Sequence, residues 1–174
     1  MIKSVLLATD GSEYASRAQR MAIELAQKFS ARLIILHVLP KDLSANQLRQ
    51  IAECGEFNTP LKKEFDRLDS LSPAPAMLGV AFIPPFVARS TVEALGREIV
   101  NRAELDASDR GIQEISLAIE DGDPSERIVE CAARENADLI VMGRRGLGQV
   151  KELFIGSVSH KVSQLAKYPC LTVA

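Results

Sequence analysis

Within the first forty residues, two short runs of branched apolar side chains, "IKSVLLATD" (2–10) and "ARLIILHVLP" (31–40), bracket a single amphipathic segment. Neither run alternates apolar with polar, the mark of a strand buried on both faces. The first run stops at the turn signal Asp10-Gly11-Ser12 and the second at Pro40. Between them Ser12 can cap a helix, Glu13 suits its first turn, and Ala15, Ala18, Ala22, Leu25, Ala26 and Phe29 fall on one face. A strand, a helix and a strand in so short a stretch require a crossover, and a crossover requires parallel pairing. That condition removes hairpin-built folds and calls for helices on both faces of the sheet.

The second half repeats the plan. Ser90 to Glu93 fits a capping box opening a helix to about Arg110, and in "IQEISLAIE" Ile115, Leu117 and Ile119 alternate as a strand. Asp123, Pro124 and Glu126 supply an N-cap, a first-turn proline and a capping-box acid for a helix to about Asn136. "ADLIVMG" reads as the next buried strand. Ser157 to Lys167 reads as a helix with Val158, Val162, Leu165 and Ala166 inward, and "CLTVA" as the fifth strand. The expected fold is α/β, a single Rossmann-like domain with a five-stranded parallel sheet in the order 3-2-1-4-5 and helices on both faces. With 174 residues the chain suits one domain.

Residues 41 to 90 break this rhythm. "SANQLRQIAECGEF" and "TPLKKEFDRLDSL" each read as a short amphipathic helix, whereas "SPAPAMLGVAFIPPFVA" is apolar and interrupted by proline. The segment reads as an insertion packed on the core, or as a lid or partner-binding surface.

Charge narrows the partners. A net charge of −2 argues against a broad nucleic-acid or membrane face, so any anion site must be local. The N-terminal apolar run is too short for a signal peptide or a membrane span. Cys54, Cys131 and Cys170 are odd in number and widely spaced, which suggests reduced thiols and a cytoplasmic location. His37, on a buried strand, reads as a packed, hydrogen-bonded histidine, and His160 as a surface position or a contact near the anion.

The segment "MGRRGLGQVKELFIGSVSHK" (142–161) carries glycines where regular structure would not want them. Gly143 ends the fourth strand and Asp10 follows the first. In the order 3-2-1-4-5 these strands are neighbours, so both residues face one crevice at the carboxyl ends of the strands. Gly156-Ser157 opens a helix whose free amides favour an anion. Gly143 to Gly148 has the glycines of a Walker loop, but Gln149-Val150 stand in place of lysine and hydroxyl. A dinucleotide fingerprint fails as well, because Lys151 replaces its third glycine.

The spacing that remains is G-x-x-G, nine residues, then G-S: Gly143, Gly146, Gly156 and Ser157. In this the chain resembles the universal stress protein family, in its ATP-binding branch. "SVLLATDGSEYA", "LIILHV", "GDPSERIV", "ADLIVMGRRG" and the strand after Tyr168-Pro169 carry the likeness further, over nearly all of the chain outside 41 to 90.

The resemblance implies one such domain over 1–174 with an atypical insertion at about 41–90, and ATP, accompanied by Mg²⁺, as cofactor. Gly143, Gly146, Gly156, Ser157 and Val158 would cradle the phosphates, and Asp10 would hold the nucleoside side or the metal. Ala8, where some members carry proline, and Thr9 would shape the pocket, with Met142 beside them. Backbone groups at Val38 would meet the adenine and Arg145 would reach a phosphate, while Arg144 reads as solvated. The resemblance further implies a homodimer paired through the last strand and acting as a nucleotide-responsive regulator. Two alternatives stand beside it: a slow ATPase or adenylyl-transferring enzyme, and a nucleotide-free interaction module that uses the insertion. Asp10 also has a plain reading, as the cap of the first helix.

Overall fold

The computed structural model describes residues 1–41, 47, 51, 88–147 and 156–174. The two short helices and the apolar stretch expected within the insertion lie outside the described residues apart from Lys41, Gln47, Ile51 and the segment from Ala88 onward. Cys54, Gly148, Gln149, Val150 and Lys151 also lie outside them.

The elements run β1 (Ser4–Ala8), α1 (Glu13–Phe29), β2 (Arg32–Leu39), α2 (Arg89–Asp109), β3 (Ile115–Asp121), α3 (Pro124–Arg134), β4 (Leu139–Gly143), α4 (Ser157–Leu165) and β5 (Cys170–Val173). The five strands form one sheet in the order β3-β2-β1-β4-β5, every pair parallel. This is the order expected from the sequence. β1 sits centrally, with Leu6 registered against Ile34 on one side and Ile140 on the other.

The sheet divides the interior into two layers. Val5, Leu7, Leu33, Ile35 and Val141 face α1 and α2, where Ala18, Ala22, Ile23, Val100 and Ala103 meet them. Leu6, Ile34, Leu36, Ile140 and Met142 face α3 and α4, against Ile128, Cys131, Ala132 and Val162. Because successive strand side chains point to opposite faces, an unbroken apolar run is what a sheet covered on both sides demands. Each fully buried leucine or isoleucine contributes about 1.5–3 kcal/mol.

The caps were largely legible. The Ser12 hydroxyl accepts from the Ala15 amide at 3.2 Å, so Ser12, and not Asp10, caps α1. Asp123 accepts from the Glu126 amide at 3.1 Å with Pro124 at the first helical position. The Ser125 hydroxyl and that amide hold the Asp123 carboxyl down at about 2.

Three expectations need correction. The capping box at Ser90 does not form: α2 starts at Arg89 after Ala88, no side chain caps it, and Glu93 pairs with Arg89 and Arg97. Phe29 is exposed at the last turn of α1, and Ile23 fills the layer that Phe29 was expected to fill. The alternating segment does form the edge strand β3, Ile115–Asp121, with Leu117 and Ile119 exposed. On α4 the buried stripe runs through Ser159 and Val162, with Ala166 after the helix packed on the same layer, while Val158 is 36% and Leu165 50% exposed. A short helix over a sheet edge has only a narrow stripe to bury, and here the stripe starts from a serine. α3 and α4 also stop slightly short of the expected Asn136 and Lys167.

No helix among the described residues is long and apolar enough to cross a membrane.

Candidate functional site

β1 and β4 lie side by side at the centre of the sheet, yet the chain leaves β1 toward the α1 layer and β4 toward the α4 layer. At such a switch point the loops diverge and open a crevice above the strand ends. A cleft of about 270 Å³ lies there. Ala8, Thr9 and Asp10 line it from β1, Val38 from β2, and Met142, Gly143, Arg145 and Gly146 from β4 onward. Gly156, Ser157 and Val158 line it from the start of α4, so every residue the sequence singled out for binding stands around this one cleft.

The glycines make the cleft by letting chain segments approach one another. A β-carbon on Gly143 would lie 2.8 Å from the Arg145 carbonyl oxygen and 2.9 Å from the Tyr14 backbone, so α1 could not dock so closely on β4. One on Gly146 would run into the Asp10 carboxylate, and one on Gly156 would sit 3.2 Å from the Arg144 carbonyl oxygen. Asp10 is the centre of this arrangement. Its Oδ1 accepts from the Ser12 amide at 3.0 Å, and its Oδ2 accepts from the Leu147 amide at 3.0 Å. Gly11 beside it has φ +78, a left-handed conformation that other residues rarely adopt.

The two ends of the glycine loop are tied together. The Gly156 amide donates to the Arg144 carbonyl at 2.9 Å, and the buried Ser159 hydroxyl reaches the same carbonyl at 2.8 Å and that of Gly156 at 3.0 Å. Arg144 continues the ladder to β5 by donating its amide to the Val173 carbonyl at 2.6 Å.

Electrostatically the α4 end of the cleft favours an anion. The N-cap of α4 is Gly156, which has no side chain to satisfy the first-turn amides, and no acidic residue stands in that turn. Ser157 and Val158 are exposed and line the cleft, so the amide end of the helix opens toward it. Arg145 is half-buried at the cleft wall, with a buried Nε that lacks a hydrogen-bond partner among the described residues. Arg144 is likewise half-buried, with the same unpartnered Nε, which corrects its expected solvation.

The cleft also has an apolar lining. Leu36, Val38, Pro40, Pro124 and Ile128 contribute there, and Pro124 and Ile128 come from α3, which the sequence did not mark as part of a site. Ala15, His37, Leu147, Ser159 and Gln47 also line the cleft and were missed as site residues. His37 is packed and hydrogen-bonded, and burial draws its pKa below the ordinary histidine value. His160 is exposed and outside the lining. Cys131 is buried, its thiol raised to about 11 by that burial. No group of three histidine, cysteine, aspartate or glutamate side chains among the described residues could hold a metal ion. A cleft that combines apolar side chains, a free helix start and one arginine suits a small molecule with a flat ring and an anionic tail.

The sequence profile of the Universal stress protein family matches residues 1–174. A Thermus aquaticus relative, named universal stress protein in QAH/OAS sulfhydrylase 3'region, is 35% identical over 173 residues, covering 99% of each chain. Among solved structures, a universal stress protein in complex with cAMP superposes with a TM-score of 0.60 at 24% identity, covering 99% of this chain and 97% of that one. The universal stress protein from Archaeoglobus fulgidus in complex with dAMP gives 0.57 at 18% identity, over 100% of this chain and 98% of that one. At these identities the structural likeness is one of fold.

Proposed function

Because this chain belongs to the universal stress protein family, we propose that it binds an adenine nucleotide, ATP in the first place, in the cleft between β1 and β4. The observation that carries the reading is the meeting of an uncapped helix start at Gly156-Ser157 with a glycine loop held by Asp10 around one cleft. In this reading the phosphates lie against the amides of Ser157 and Val158 and the glycine loop, with Arg145 beside them. The base lies toward Val38, Pro40 and Ile128. The fold relatives in complex with cAMP and dAMP support an adenine compound as the ligand class.

Mg²⁺ enters this reading on the phosphates of the nucleotide and not through a resident metal site. Both oxygens of Asp10 already accept from backbone amides. Hydrolysis needs a group that orients water; Asp10 is committed to holding the Ser12 and Leu147 amides, and the reading adopted is one of binding. For the wider role, a two-fold dimer through β5 is proposed, since among the described residues that strand is paired with β4 alone. Nucleotide occupancy would then alter what the dimer presents to a partner, with the insertion at about 41–90 as the docking surface.

The test is to denature the purified protein without added nucleotide and identify the released small molecules by mass spectrometry, beside a Gly146→Val variant. ATP or ADP released by the native protein and absent from the folded variant supports the reading. If the native protein releases nothing and Mg-ATP titration produces no binding, the nucleotide reading fails.

A further inference from the structure

One buried polar side chain on the cleft wall is not used by the anion site as described. His37 is 3% exposed, and its Nδ1 lies 2.8 Å from the carbonyl oxygen of Thr9. A carbonyl oxygen can only accept, so Nδ1 is the protonated nitrogen of the ring. The Thr9 amide donates to the Leu36 carbonyl at 2.9 Å. β2 therefore grips Thr9 from both sides, once through its backbone and once through this ring.

Helix α2 backs the ring. A β-carbon on Gly96 would lie 3.0 Å from Cδ2 of His37 and 2.6 Å from the Leu39 side chain, so the helix sits as close as a glycine allows. Asp10 follows Thr9 directly, and its carboxylate takes the Ser12 and Leu147 amides. One unbroken series of contacts thus leads from Gly96 through His37, Thr9 and Asp10 to the glycine loop at Leu147. No residue of α2 lines the cleft.

We infer that His37 is a positioning residue of the cleft: by donating to the Thr9 carbonyl from a ring packed on Gly96, it sets the Asp10 carboxylate that holds the glycine loop. Helix α2 then influences the affinity of a site it does not touch. The effect on affinity rests on the nucleotide reading above; the effect on the loop does not. A buried histidine that merely fills space makes a different prediction, because only its volume would matter.

Asparagine keeps an N–H donor one bond beyond Cγ, where Nδ1 stands, and leucine fills that region without a donor. The experiment measures hydrogen exchange of the Leu147 amide by NMR in the ligand-free protein, for wild type, His37→Leu, His37→Asn, Gly96→Ala and Asp10→Ala. Asp10→Ala is the reference for a released amide. His37→Leu is expected to speed exchange roughly tenfold, the scale of one lost hydrogen bond, with His37→Asn staying near wild type. Gly96→Ala, pressing on the ring from α2, is expected to speed exchange as well, and it serves if His37→Leu does not fold.

The proposal is overturned if folded His37→Leu exchanges Leu147 at the wild-type rate, or if His37→Asn loses as much protection as His37→Leu. It is equally overturned if Gly96→Ala leaves Leu147 protected. ATP affinity in the same proteins should fall in the same order. If no variant and no wild type binds nucleotide while exchange follows the predicted order, the nucleotide reading fails and the positioning role stands.

Discussion

The Oδ2 atom of Asp10 occupies the space into which a side chain on Gly146 would grow, while the same atom accepts the amide of Leu147. The carboxylate after β1 and the glycine after β4 are therefore fitted to each other. Each is defined by the presence of the other, before any ligand is considered.

This coupling can be measured. Gly146→Ala is expected to destabilise the fold by about 1–3 kcal/mol, the range for forcing a methyl group into occupied space. In an Asp10→Ala background the methyl meets no carboxylate, so its cost should be smaller, with a coupling of at least about 0.5 kcal/mol. Urea unfolding of the four proteins closes the cycle. Additive costs would mean that Gly146 and Asp10 are independent.

Ser157→Asp separates binding from folding. A carboxylate in the first turn of α4 suits the helix dipole, so the thermal midpoint should hold or rise. The same charge sits where phosphates are proposed to lie, so ATP affinity should fall by roughly tenfold or more, the factor given by about 1.4 kcal/mol of repulsion. Calorimetric titration beside a melting curve reads both. Unchanged affinity would move the phosphates away from α4.

Ser159→Ala removes the hydroxyl that ties Arg144 to Gly156. The Arg144 carbonyl keeps the Gly156 amide, so no acceptor there is stranded, and the expected loss is about 1 kcal/mol. The lost hydroxyl frees the base of the loop, so the Gly156 amide should exchange faster than in wild type. A loss of several kcal/mol would show that Ser159 supports more than the loop.

Acid should weaken the fold in two windows. Burial lowers the pKa of His37, so below its unfolded value near 6.5 the unfolded chain takes up a proton that the folded chain resists. Stability is then full above that pH and declines as pH falls through it. The Asp123 carboxyl, held at about 2 against an ordinary 3.8, adds a second loss between those values, reduced by its exposure to solvent. Unfolding midpoints between pH 8 and pH 5 should slope less in His37→Asn than in wild type, and equal slopes would remove His37 as the cause.

Much of this architecture was legible because the signals are local. An unbroken apolar run such as Val5–Leu7 can only suit a sheet covered on both faces, and Ser12 and Asp123 cap their helices with side chains that reach a few residues ahead. The glycine spacing was legible for a different reason. Three positions where a β-carbon would crowd its neighbours leave a mark on the sequence whatever they pack against, although what they meet here is the protein's own chain. Ser159 left no such mark, and His37 was legible as a packed, hydrogen-bonded histidine but not for the carbonyl it holds. Each acts on a carbonyl fixed by a distant segment, and a serine in a helix or a histidine in a strand is unremarkable until that partner is known. The Ser90 box failed because its spacing is necessary for a cap and not sufficient: the helix had already begun at Arg89.

The strand order also ranks the walls of the cleft by how costly they are to move. Asp10 hangs from β1, the strand flanked on both sides and buried in both layers, so displacing it means undoing the centre of the domain. Ser157 opens a nine-residue helix in which only Ser159 and Val162 are buried, so much less apolar surface holds that wall in place. A guest in the cleft therefore has one fixed wall and one hinged wall. Its residence time would be set by fraying at the sheet margin, and changes in β5 or at a surface covering it would alter how long a guest stays more than whether it fits.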